Sequence, residues 1–304
     1  MQRLPICLLT NAQAVEYDRC MNRLSSEQRT AVLNCLIEGC SIRSTVRMTG
    51  VAKKTVMRLL VEVGAVCAAY QDRAFRNLSC QRIQVDELWA FIGCKQKNVT
   101  FQIKATNPDA GDIWLWVAID AETKLVPSWM LGDRDATAAM TFMLDLARRL
   151  SNRVQLTSDG HRAYLQAVDW AFSGDIDHAM LVKLYGADRP EEARYSPAVC
   201  VGCKSNVVTG NPDPAHLATS FAERQNLSVR MSIRRYTRLT NAFSRKLDNH
   251  AAAVALYYFA YNFIKTHRTL RVSPAMAAGV TNRLWEVPDL VALLEESEGQ
   301  LKAA

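Results

Sequence analysis

The 304-residue sequence has no apolar run approaching the roughly 20 residues that a membrane-spanning helix needs. Its opening ten residues hold too short an apolar core for a convincing signal peptide. A cytoplasmic protein with no membrane partner is expected. No internal repeat or low-complexity segment occurs, and the nine cysteines are an odd number scattered from Cys7 to Cys203, which excludes a disulfide framework. Cys200-Val-Gly-Cys203 is the one Cys-x-x-Cys. Neither a second such pair nor a His-x-x-x-His completes the four ligands of a structural zinc, so an ordinary pair of loop cysteines is the reading. Acids are missing from residues 43–58, which carry five bases, and bases are missing from 284–301, which carry five acids.

What is present is an ordinary globular composition, 49% apolar and 22% charged, with a net charge of +7 that favours a polyanionic partner. Residues 26–64 read as three short helices behind a lead segment, 1–25. An apolar pattern over 27–38 ends at Gly39, a second helix covers 41–47, and the turn Thr49-Gly50-Val51 leads into a helix over 53–60. That is the layout of a helix-turn-helix, in which the start of the second helix enters the DNA major groove. Lys53, Lys54, Thr55 and Arg58 are then the expected contacts to double-stranded DNA. A plain three-helix bundle with a solvated basic face is the alternative.

After a linker or short helix at 65–80 the texture changes. Strand-like stretches occupy 82–91, 113–120 and 125–131, followed by a helix over 136–150, a strand over 154–158, a helix and a strand over 179–185. The order predicts an α/β domain over 81–248, with a mixed five-stranded sheet flanked by helices. Residues 186–214 form a long loop of no nameable structure. A helix over 219–235 follows, and residues 249–304 read as a helical tail.

Three acids stand out on this framework. Asp86 falls mid-strand beside Val85 and Leu88, an expensive place for an unpaired carboxylate. Asp159 lies at the carboxyl end of a strand, where open sheets put their ligand sites. Glu223 shares a helix face with Asn226 and Arg230, at spacing i, i+3, i+7, and residues 223–246 hold seven bases against that one acid. Carboxylates this distant in sequence repel one another if they converge, unless a hard cation lies between them. Oxygen ligands suit magnesium or manganese, and two such ions can activate a water or 3′-hydroxyl and stabilise a leaving oxygen. Glu87 is expected to face away from Asp86, because side chains alternate along a strand.

The blocks Asp86-Glu87-Leu88-Trp89, Ser158-Asp159-Gly160 and 223–230, in this order of elements, resemble the three catalytic blocks of DDE transposases of bacterial insertion sequences. Within them the group typified by insertion sequence one is most similar, through the helix-turn-helix start, residues 114–120 and 219–235, and the tail blocks 261–270 and 273–279. The likeness spans most of 26–285. It implies a ribonuclease-H-like domain shared with retroviral integrases, and a homo-oligomer acting on element ends and target DNA. It also implies Asp86, Asp159 and Glu223 as ligands of Mg2+ or Mn2+, with two ions expected. Asn226 and Arg230 would contact DNA or orient the carboxylate, and Arg234 and Arg235 extend the basic surface. One departure concerns zinc: members of the group often carry an N-terminal cysteine cluster, whereas Cys7 and Cys20 stand alone. Two other readings fit the same residues: a DNA-binding regulator with an idle site, and a metal-dependent repair nuclease that joins no strands.

Overall fold

Residues 23–186, 200–237 and 240–303 are described in a computed structural model; Cys7, Cys20, Arg238 and the 187–199 part of the expected loop lie outside them. The chain opens with α1 (Ser26–Ile37), whose start is fixed by a reciprocal cap. Ser25 Oγ accepts from the Gln28 amide, and Gln28 Oε1 accepts from the Ser25 amide. α2 (Ile42–Thr49) is capped by Ser41 and ends at Gly50, which takes a left-handed φ of 70° that a side chain would resist. α3 (Lys53–Ala74) is much longer than the pattern over 53–60 suggested. It runs unbroken through the first ten residues of the expected linker, because no Gly-Pro signal or polar cluster interrupts its buried stripe of Val56, Leu60, Val63 and Cys67.

The sheet follows. Strands β1 (Arg82–Ile92), β2 (Gly111–Asp120) and β3 (Ser128–Gly132) form an antiparallel meander, with the short helix α4 (Phe101–Thr106) inserted between the first two. After α5 (Ala136–Ala147), β4 (Gln155–Ser158) lies parallel to β1. After α6 (Ala163–Phe172), β5 (Asp177–Tyr185) lies parallel to β4. The sheet has six strands, in order β3-β2-β1-β4-β5-β6, where five were expected. The extra strand, β6 (Cys200–Thr209), pairs antiparallel with β5 inside the stretch read as a loop. The architecture is α/β with helices on the sheet, consistent with a ribonuclease-H-like fold.

Alternation along β1 divides the helices between the two faces. Gln84 Oε1 accepts from the Phe221 and Ala222 amides, at 2.8 and 3.3 Å, and so seats the start of α7 (Ser220–Ser232) on one face. Tyr164 of α6 and Phe142 of α5 pack on Trp116 on the other. α8 (Leu247–Phe259) is buried nearly all round, as a helix apolar on every side should be. It lies against α3 and reaches the sheet through Tyr258 on Trp129. Two tail helices, α9 (Pro274–Ala277) and α10 (Val287–Ala303), complete the chain. The acidic tail is held to α1 by ion pairs from Arg29 to Glu295 and Glu298.

The contact of α3 with α8 depends on Gly64. A Cβ there would stand 2.5 Å from the Ala252 Cα and 2.6 Å from its Cβ. Gly64→Ala gains up to about 1 kcal/mol in helix propensity, but forcing two backbones apart costs about 1–3 kcal/mol. The variant should therefore unfold at lower urea; an equal or higher midpoint would show that the helices separate freely.

Candidate active site

Strand register brings the acids together. β1 pairs with β2 from Ile83 to Ile92, but with β4 only from Arg82 to Gln84. β1 thus runs on past the end of β4, and Asp86 and Glu87 lie on that overhang beside Asp159. Alternation still holds at the level of partners. Asn226 of α7 donates through Nδ2 to Asp86 Oδ2 at 2.8 Å, on one face. Glu87 meets Arg134 on the other, where Arg134 Nε donates to Glu87 Oε2 at 3.2 Å. Yet one carboxylate oxygen from each of Asp86, Glu87 and Asp159 lies within 4.8 Å of the others. Glu87 thus faces away from Asp86, as alternation requires, but where the neighbouring strand stops, carboxylates leaving opposite faces meet round the free edge.

Charge repulsion and burial both act on this cluster. Burial, with the charges of Asp159 and Glu223, pushes Asp86 up to about 6; the Glu87 amide, which donates to Oδ1, and Asn226 offset part of the rise. Burial and the Asp159 charge push Glu87 up to about 7, offset in part by the Tyr164 hydroxyl and by Arg134. Asp159 is positioned by its own turn, Oδ1 accepting from the His161 amide at 2.9 Å. Burial and Arg134 hold His161 below the usual imidazole range, so it enters the site uncharged near neutrality.

Glu223 approaches from α7. Its Oε1 takes an ion pair from Lys183 of β5 and a hydrogen bond from Thr219. Asp86, Asp159 and Glu223 line one cleft of about 1010 Å³, together with Arg134, His161 and Lys183. Among the described residues, Glu223 does not join the cluster made by the other acids. The donor set fits a hard divalent cation: it is all oxygen, and two of its members, Asp86 and Glu87, are held at raised proton affinity by burial and the charge of Asp159. Asp86, Asp159 and Glu87 are placed to hold such an ion, and Glu223 borders the same space.

The other expected contacts are spread more widely. Asn226 is buried, Arg230 half-buried and Arg234 exposed. Arg235 is half-buried beside Tyr236 and His250, and burial lowers its guanidinium to about 10. Lys53, Lys54 and Arg58 are exposed at the start of α3, with Thr55 half-buried and Arg58 3.7 Å from Glu62. Arg134 and Lys183 went unnoticed in the sequence. Neither lies in a motif, and only the fold carries them to the acids.

No protein-family model matches the chain, and no curated protein matches it. Among solved structures it is similar to a simian T-cell lymphotropic virus intasome in complex with PP2A regulatory subunit B56 gamma, with 14% sequence identity and a TM-score of 0.39. That match covers 82% of this chain and 74% of the other. A likeness this loose carries no weight for function.

The raised carboxyls make stability depend on pH. Between the unfolded value near 4 and the folded values of about 6 and 7, the native state binds more protons than the unfolded state. These two acids therefore contribute stability to the metal-free protein that is lost as pH rises through that window, by on the order of a few kcal/mol. Burial holds His178 and His250 well below the usual imidazole range, at about 4 and about 3, and their contribution runs the other way, so the test is a comparison of variants. In urea unfolding in chelator, Asp86→Asn should shift the midpoint at pH 5 relative to that at pH 8 downward from the unaltered protein; an unchanged difference would mean that Asp86 is not buried in the acid cluster.

Proposed function

We propose that the chain is a DDE transposase, which cuts DNA at the ends of its element and directs the freed 3′-hydroxyl into target DNA. The observation that carries the reading is the convergence of Asp86, Asp159 and Glu223 on one cleft from a central strand, a strand end and a covering helix. When bound there, magnesium or manganese ions would supply charge stabilisation for the attacking and leaving oxygens of phosphodiester transfer.

The chain's own residues set the terms of that chemistry. Asn226 holds Asp86 in one rotamer through its amide. Lys183 neutralises Glu223, and would give up that ion pair if Glu223 were to hold a cation. His161, uncharged near neutrality, adds no positive charge to compete with the cation. The exposed bases at the start of α3 serve recognition of double-stranded DNA, and Arg230 and Arg234 extend a basic surface from α7. The protein acts as a homo-oligomer, since joining two element ends to one target needs more than one such site.

Asp159→Asn should reduce metal-dependent cleavage and joining of a labelled duplex, bearing the gene's flanking terminal sequence, by at least ~100-fold while binding survives. Retained cleavage would remove Asp159 from the site, and binding without cleavage in the unaltered protein would favour a DNA-binding regulator. Lys54→Ala should weaken binding of that duplex by roughly tenfold in a gel-shift titration. Unchanged affinity would take the start of α3 out of the recognition surface.

A further inference from the structure

We propose that Arg134 takes a non-bridging oxygen of the DNA phosphodiester in the cleft, and that the buried Glu87 is the positioning residue that aims it. This deepens, and rests on, the DNA-processing reading given above.

Arg134 is fixed from three directions. Its backbone is pinned on either side: Trp116 Nε1 donates to the Asp133 carbonyl at 3.1 Å, and Asp135 caps α5 by accepting from the Ala138 amide at 2.8 Å. Its guanidinium lies over the Trp114 ring, 4.8 Å from the centroid. One edge of the guanidinium is anchored, with Nε and Nη2 both 3.2 Å from Glu87 Oε2. What remains is the outer edge. Among the described residues Nη1 meets no protein acceptor, and Nη2 stands 3.9 Å from Asp159 Oδ2. The side chain is 37% exposed and lines the cleft beside the acid cluster. A planar cation held rigid by a carboxylate and a ring, with its free edge open beside the site, suits a phosphate oxygen.

Glu87 meets this guanidinium through Oε2, besides sharing the oxygen cluster with Asp86 and Asp159. Its side chain is 1% exposed, so it grips Arg134 from below the cleft surface. A carboxylate in a DNA cleft ordinarily repels phosphate, so simple electrostatics says that Glu87→Gln tightens binding. Orientation of Arg134 says the opposite, because the amide releases the guanidinium from its anchored edge. The two views differ in sign.

The test is fluorescence anisotropy of a short labelled duplex carrying the gene's flanking terminal sequence, in chelator so that loss of a bound cation cannot stand in for loss of Arg134's aim, over a series of salt concentrations. Arg134→Ala should weaken binding roughly tenfold and reduce the slope of log affinity against log salt by about 0.9. Glu87→Gln should weaken binding, and should add nothing to Arg134→Ala. Arg134→Lys, which keeps the charge and the fold, should retain the slope but lose affinity. Tighter binding by Glu87→Gln, or an unchanged slope in Arg134→Ala with unchanged urea unfolding, would overturn the assignment alone. Failure of the unaltered protein to bind the duplex would overturn the DNA reading with it.

Discussion

Three carboxylates held together under partial burial are the constraint on which the rest of this structure depends. Each of Asp86, Glu87 and Asp159 would be better solvated apart, and two of them are displaced well upward in proton affinity as a result. Such an arrangement persists only if the surrounding fold over-determines it. Here the sheet supplies that determination. β1 is locked between β2 and β4, and it overruns β4 at the point where the acids emerge.

The neighbouring elements can be read as responses to that concentration of charge. Gln84, one pleat before Asp86, captures the first amides of α7 and so brings Asn226 and Glu223 over the site. Lys183 projects from β5 to Glu223, and Arg134 projects from the turn before α5 to Glu87. Both cations lie at the edge of the cleft rather than inside the acid cluster, which leaves the oxygen cluster to a cation and the rim to an anion. A phosphodiester presents such a combination of needs.

Much of the fold could be read from sequence. The seven helix and strand signals from β1 to β5 came in the right order because each has a strong period. β6 escaped because it is an edge strand exposed on nearly every residue, so it lacks the alternation that marks a half-buried strand. α3 was under-read because its middle turns, 63–70, are apolar without charge, and so resemble a spacer. At the site, Asp86 and Asp159 were legible from apolar flanks and strand-end position. Glu87 was not, since alternation predicts direction at Cβ and says nothing of where a long carboxylate ends once the neighbouring strand stops.

The most direct test of the central claim is a manganese titration of the purified protein followed by electron paramagnetic resonance, at pH values from about 6 to about 8. If the acids form a cation site, binding is saturable, strengthens with pH as Asp86 and Glu87 lose their protons, and disappears in Asp86→Asn. Binding that is absent in the unaltered protein, or equal in the variant, would contradict it.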